Sequence, residues 1–363
     1  MKRILFLTPY TPSRRAGGEN YTRQLLEHLS EKNKVDLIYF RYSDDPKYEI
    51  PNDNVNVLRI IENSKFLKLK NSIAYPLFHP IFTVRFCRSL LSYVKGIINK
   101  YDILYLDHSQ MFIYGKYFPS ISKILFSHDV MVQRYQRDKQ LYGRKWVEYS
   151  ERTLMRMPNS KVFTFSTKDC AIIKAQYGID SLWTNFFIDT TVLESQITKI
   201  ENKIVFFGKW KRADNFDGLK WFFDNIYDKI NQSISIDIIG NNLPNDFQNR
   251  ITSLPNVTYF GFVENPYDII SNSLATIAPL FTGAGVKVKV VESLACGTPV
   301  IGTSIAFEGI STEYDSFMFL ANTSSEFIDK INRIDISGTE RIKFKEKFKE
   351  TYLKSPILDY IQR

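Results

Sequence analysis

The sequence predicts an α/β protein built from two Rossmann-like domains, and three observations carry that prediction. Short apolar runs alternate with segments of helical periodicity, the pattern of parallel sheets covered by helices. The alternation comes in two series, and 363 residues with 44% hydrophobic content suffice for two cores. In the second series a glycine turn separates a strand from a helix, as it does where a phosphate is held beyond the carboxyl end of a sheet strand.

In the first series strands are expected at residues 4–7, 35–40, 103–106, 124–126 and 162–165. Between the first two, residues 19–31 place Tyr21, Leu25, Leu26 and Leu29 on one helical face. The second series puts strands at 204–207, 234–239, 257–259, 275–279 and 300–302. The join is expected between 185 and 202, giving domains at 1–190 and 191–340 and a terminal helical segment at 341–363, rich in lysine and aromatics. No internal repeat or low-complexity tract interrupts this plan.

Composition narrows the function classes. A net charge of +9 implies an anionic partner, whether nucleotide phosphates, an acidic membrane surface or nucleic acid. The three cysteines are scattered, with no C-x-x-C pair, so neither a disulfide framework nor a zinc site is expected, and a reducing cytosol fits. The N-terminus offers too short an apolar run for a signal peptide, and no run approaches the ~20 apolar residues of a membrane span.

The densest chemistry lies between Ala278 and Ile310. A strand leads into Gly283, Ala284 and Gly285, a turn open enough for backbone N–H groups to approach an anion, and then into a helix expected to run about three turns. Lys287 and Lys289 fall in its expected first turn, and Glu292 follows Lys289 at i, i+3 as part of one polar stripe. Gly297 and Pro299 stop the helix. The competing reading is a strand, because Val286, Val288 and Val290 alternate with lysine; the glycine lead-in and glycine stop favour the helix.

The pattern G-x-G-x-K-x-K-x-x-E, followed by A-C-G-x-P-V-I and E-G-I, resembles the donor-binding core of retaining GT-B glycosyltransferases, which build cell-surface polysaccharides from nucleotide-sugars. The resemblance implies two Rossmann-like domains facing a central cleft, with the C-terminal helix crossing back to the first. It makes Glu292 the ribose-binding second glutamate of the family's E-x7-E motif. Ala284 stands where the first glutamate would be, so the chain follows a glycine-rich variant and no residue is assigned to that glutamate's contacts with the sugar.

Further segments fit the same resemblance. Lys209 and Arg212, after the strand ending at Phe207, match a basic phosphate site, with a solvated turn as the alternative. Phe262 and Val263 match the G-F-V segment whose backbone holds the nucleotide base, and Phe262 reads equally as core. Asn185 to Asp189 matches the N-G-V-D linker with Phe186 in place of glycine. In the first half, Gly17 and Gly18 open a helix and either face donor or acceptor or form a routine turn; G-x-G-x-x-G is absent, which counts against a nicotinamide enzyme. His128 and Asp129, at the end of a strand, are the catalytic candidates, and the family's histidine here contacts the donor sugar near its reacting carbon. A structural hydrogen-bonding role is the alternative for His128, and His108 is a weaker second candidate. Arg134, Arg137 and Glu151 either reach the cleft or form a solvated helix face, and the solvated face is the favoured reading.

Residues 65–100 interleave Lys65, Lys68, Lys70, Arg85, Arg88, Lys95 and Lys100 with Phe66, Tyr75, Phe78, Phe82, Phe86 and Tyr93, and contain no acid. This suits an element lying on anionic lipid, or a core whose charges alone are exposed.

The expected protein is therefore a metal-independent retaining glycosyltransferase without a cofactor. It takes a UDP- or GDP-sugar donor and a glycan or lipid-linked acceptor, and it is cytoplasmic and peripheral on the inner face of the membrane. No D-x-D sequence is present to hold a divalent ion. A nucleotide-sugar epimerase and a basic nucleic-acid-binding protein are the alternatives; no helix-turn-helix, zinc or stacking-platform pattern supports the latter.

Overall fold

The computed structural model describes residues 1–15, 17–64, 75–137, 143–283 and 285–363. Ala284, Lys65, Phe66, Lys68 and Lys70 lie outside them. The described chain divides into two compact units, Met1–Phe187 with Ser355–Arg363, and Ile188–Lys354.

The first unit contains β1 (Arg3–Thr8), β2 (Lys34–Arg41), β3 (Val55–Glu62), β4 (Ile103–Asp107), β5 (Ser122–Phe126), β6 (Ser160–Thr164) and β7 (Ser181–Trp183). They form a parallel sheet in the order β3-β2-β1-β4-β5-β6-β7. Leu5, Leu7, Ile38, Phe40, Leu104, Leu106 and Leu125 share one buried cluster. The helix Gly17–Ser30 turns Tyr21, Leu25, Leu26 and Leu29 inward, and each buried leucine contributes about 1.5–3 kcal/mol.

The second unit contains β8 (Glu201–Phe207), β9 (Ser235–Ile239), β10 (Val257–Gly261), β11 (Ser273–Ala278), β12 (Val300–Gly302) and β13 (Met318–Leu320). This sheet is also parallel, in the order β10-β9-β8-β11-β12-β13. In each sheet the strand order reverses beside the central strand, β1 or β8, and ligands of open α/β sheets bind beyond the carboxyl ends of strands at such a point.

The division at Phe187 falls inside the expected join. Phe186 belongs to the first unit because its ring stacks on Phe165 with centroids 3.7 Å apart. The terminal segment divides differently from the expected 341–363. The helix Gly338–Tyr352 stays with the second unit, and only Ser355–Arg363, with the helix Pro356–Gln362, belongs to the first. The reason is a pair of buried cations. The Arg341 guanidinium donates to the carbonyls of Ser273 at 2.6 Å and Leu274 at 2.7 Å on β11, and Lys345 donates to the Ser195 hydroxyl at 2.9 Å. Burial pushes Arg341 down to about 10. Arg341→Ala is expected to cost roughly 3 kcal/mol, because it strands buried carbonyls worth about 1–3 kcal/mol each and leaves a void. Urea denaturation monitored by circular dichroism measures the loss; an unchanged midpoint would contradict this anchoring.

Phe78, Phe82 and Phe86 are core residues, so these rings of the basic, aromatic stretch are not available to a membrane. Among the described residues no helix is long and apolar enough to cross one.

Candidate active site

In the second unit the chain leaves β11 through Pro279 and Leu280 and enters a turn in which Gly283 has φ +107° and Gly285 φ +68°. Residues with a Cβ rarely adopt these conformations, so glycine is needed at both positions. The helix that follows is Val288–Ala295, shorter than the three turns expected, with Lys287 as its N-cap in an extended conformation. Lys287 is therefore outside the first turn, because the turn conformation persists past Gly285. The strand reading of residues 286–290 is excluded by this helix. Ala284, between the two glycines, lies outside the described residues.

The two lysines separate. Lys287 donates to the Gly285 carbonyl at 2.6 Å, and its Nζ would lie 3.9 Å from a Cβ built on Gly283. Lys289 donates to Asn215 Oδ1 at 2.8 Å, while Asn215 Nδ2 donates to the Lys209 carbonyl at 3.0 Å. Asn215 thus ties the glycine turn's helix to the loop after β8. Burial, opposed by Asp214 and assisted by Arg212 and Lys287, brings the Lys289 ammonium down to about 8. Arg212, the exposed N-cap of the helix Ala213–Asn225, grips Asp214 through Nε at 3.0 Å and Nη2 at 2.8 Å. Burial would raise the Asp214 carboxyl, but Arg212 and Lys289 hold it below the usual range. Lys209 is exposed. Three cations, Arg212, Lys287 and Lys289, thus act on one another close to the Asp214 carboxylate, beside backbone N–H groups of a helix end. Cationic side chains gathered beside a glycine turn and a helix end are a setting that attracts an anion.

Glu292 does not share a partner with Lys289, although the i, i+3 spacing sets both on one stripe. Its carboxylate accepts from the Tyr267 hydroxyl, and burial, with Asp189 adding, raises it to about 7. Burial and this carboxylate hold the Tyr267 hydroxyl well above its ordinary range. Tyr267 carried no sequence signal. Phe262 is 74% exposed, which removes the core reading and leaves its ring open beside Gly261, whose φ is +67°.

In the first unit His128 follows β5 and Asp107 ends β4. His128 Nε2 lies 2.8 Å from Asp107 Oδ1, and the hydroxyls of Thr8 and Thr22 lie 2.8 and 2.7 Å from Oδ2. Burial opposes ionisation of Asp107, but the two imidazoles and these hydrogen bonds hold its carboxyl down at about 2. The carboxylate that orients His128 is therefore Asp107, not Asp129. Asp129 instead offers its backbone carbonyl to the Ser127 hydroxyl at 2.9 Å.

His108 stacks on His128 with centroids 3.4 Å and planes 11° apart, and holds a φ of +60°. A non-glycine residue at that φ is strained, and such strain collects at functional sites. Burial, with His128 adding and Asp107 opposing, lowers His108 to about 3, and its buried Nε2 has no hydrogen-bond partner. Asp107, His108 and His128 have ligand-type atoms within 4.8 Å of one another. Parallel stacked rings aim their lone pairs along parallel planes rather than at one point, so the arrangement suits a shared carboxylate better than a tetrahedral ion.

Gly18 completes this cluster. A Cβ there would lie 3.3 Å from His108 Cε1 and 3.3 Å from His128 Nδ1, so the rings use the space that a side chain would take. Gly17 starts the helix. Behind the His128 loop, Glu151 is fully buried rather than on a solvated face. Its carboxylate accepts from the Met131 and Val132 N–H groups at 2.8 and 3.1 Å and from the Tyr177 hydroxyl at 2.7 Å, capping the helix Met131–Arg137.

Residues 201–334 match the family model described as glycosyl transferases group 1. A relative from Klebsiella pneumoniae, described as an uncharacterized 44.6 kDa protein in the cps region, is 26% identical over 153 residues. That match covers 39% of this chain and 39% of the relative's length. Among solved structures, HepE of Anabaena in complex with UDP superposes with a TM-score of 0.69 at 13% identity over 96% of this chain and 95% of its own. Sucrose-phosphate synthase of Thermosynechococcus elongatus gives a TM-score of 0.67 at 12% identity, over 97% and 95%. WaaG, a glycosyltransferase involved in lipopolysaccharide biosynthesis, gives 0.66 at 11% identity, over 98% and 96%.

Proposed function

We propose that the chain, which has the GT-B fold and matches the group 1 glycosyl transferase model over residues 201–334, transfers a sugar with retention from a nucleoside diphosphate to a glycan or lipid-linked acceptor. The observation that carries this reading is the cation cluster of Arg212, Lys287 and Lys289 at the Gly283 and Gly285 turn. A diphosphate is attracted by these cations and accepts from the helix-end N–H groups. Glu292 accepts from the ribose diol, and Phe262 and Val263 line the base. As the sugar C1–O bond to the diphosphate breaks, charge grows on the leaving oxygens, where Lys289 and Arg212 act. The acceptor oxygen bonds to C1 on the same face and its proton passes to the leaving phosphate, so no metal or cofactor is needed. In the first unit His128, aligned by Asp107, serves the transfer chemistry. The cps-region relative supports polysaccharide synthesis as the setting. A cytoplasmic enzyme held at an anionic membrane surface by its net charge of +9 fits that setting.

Isothermal titration with UDP and GDP tests the donor site. Glu292→Ala is expected to weaken the preferred nucleotide by roughly 10- to 100-fold, the value of lost hydrogen bonds to a charged group. The wild-type affinity should fall below pH 7, where Glu292 takes a proton and ceases to accept from both ribose hydroxyls. Wild-type affinity in the variant would remove Glu292 from the ribose.

A further inference from the structure

Arg85 lies between the helices Pro80–Thr83 and Arg88–Ile97 and is only 3% exposed. Its backbone carbonyl accepts from the Tyr114 hydroxyl at 2.8 Å, which fixes the base of the side chain. Nη1 donates to Asn63 Oδ1, and Nη2 donates to the Tyr42 hydroxyl at 3.2 Å. The guanidinium carbon stands 5.5 Å from the Tyr10 ring centroid, 5.3 Å from that of Tyr42 and 5.9 Å from that of Phe40. Among the described residues no carboxylate pairs with it, and its buried Nε–H has no acceptor.

A buried guanidinium without a counter-charge is costly, and aromatic faces and neutral oxygens return only part of that cost. Its surroundings say where a counter-charge would come from. Phe40 is the penultimate residue of β2, while Tyr10, Tyr42 and Asn63 follow β1, β2 and β3, so the guanidinium lies at the carboxyl edge of the sheet. Asp107 and His128 occupy the same edge at β4 and β5. Tyr10 links the two places: its hydroxyl accepts from Gln110 Nε2 at 3.1 Å, and its ring meets His108 edge-on with centroids 5.2 Å apart. The buried Gln110 Oε1 is also without a partner.

We propose that Arg85 binds an oxyanion carried by the acceptor, either a phosphate or a sugar carboxylate. The word acceptor rests on the glycosyltransferase reading; the oxyanion site itself rests on Arg85. The planar donor fork suits either anion. The Tyr10 ring, which meets both the guanidinium and His108, connects this place to the histidine pair, so an acceptor would be held by its charge while a hydroxyl is presented elsewhere.

The test uses the full chain labelled with 15N-arginine. The Arg85 Nε–Hε resonance is assigned by its selective loss in Arg85→Lys, or in Arg85→Gln where the lysine variant does not fold. It is then followed on addition of methyl phosphate, glucuronate and neutral methyl glucoside. A saturable shift with an anion and none with the glucoside is expected. Response to methyl phosphate at the lower concentration identifies a phosphate acceptor, and the reverse order identifies an acidic sugar. A resonance that stays still with both anions, or that moves equally with the glucoside, overturns the proposal. UDP is titrated separately on the same sample. Loss of UDP binding counts against the donor reading and leaves the Arg85 result standing.

Discussion

Lys289→Met should weaken binding of the preferred nucleoside diphosphate by about two orders of magnitude, the largest effect expected from a single change in the second unit. A charge-assisted contact contributes about 1.5–3 kcal/mol, and each 1.4 kcal/mol is tenfold in affinity. The pH dependence distinguishes this lysine from a general attraction between the protein and phosphate. In the free protein its ammonium titrates at about 8. A bound diphosphate stabilises the charged form and raises that value, so above pH 8 binding must take up a proton. Affinity of the wild type therefore falls as pH rises through 8, by up to about tenfold per unit for one proton. Lys289→Met should bind weakly at every pH and lose this alkaline limb. Calorimetric titrations of both proteins at pH 7 and pH 9 measure both features. A variant that keeps the alkaline limb would assign the proton to another group.

The second large effect belongs to the first unit. His128→Ala should lower kcat by roughly 10²- to 10⁴-fold, the usual range for a positioned proton-transfer or polar catalytic group. Nucleotide affinity should remain unchanged, since the proposed nucleotide contacts are all in residues 188–354. Asp107→Asn keeps the shape but turns one carboxylate oxygen into a donor facing His128 or the hydroxyls of Thr8 and Thr22. It should reproduce most of the kcat loss, because the imidazole is no longer held in one tautomer and orientation. It should also change acid stability. The Asp107 carboxyl is held at about 2, below its unfolded value near ~3.9. Its ionised form therefore contributes stability that is complete above about pH 4 and lost as pH falls through 2. A full-activity Asp107→Asn would remove the dyad from the mechanism.

The central strands of both sheets were legible because each is a continuous apolar run bounded by turn residues. β3 was not, since only Val55 of its eight residues is fully buried and Asn56 and Arg59 break the apolar run. β7 and β13 are three residues each, too short to show a period. The glycine turn and its helix were legible from composition. The late start of the helix was not, because Lys287 is extended by the backbone geometry of Gly285 rather than by any preference of its own. Partners were the least legible feature. Asp107 looks like the polar end of an apolar strand, and its hydroxyl donors stand 99 and 85 residues away in the chain. Lys289 and Glu292 read as one stripe, yet each is claimed by a side chain from a different helix, Asn215 of Ala213–Asn225 and Tyr267 of Tyr267–Ser271. Spacing fixes which face a residue occupies, and only tertiary packing decides what meets it there.

The split of the first unit into Met1–Phe187 and Ser355–Arg363 has a consequence for synthesis. A ribosome releases all of Ile188–Lys354 before the nine residues that finish the earlier unit. The later-made unit is contiguous and can close as soon as it emerges, whereas the earlier-made one waits with the Phe163 side of its sheet lacking Tyr360. Order of translation and order of completion are thus reversed. The half proposed to hold the nucleotide can mature first, and the half carrying His128 is completed last.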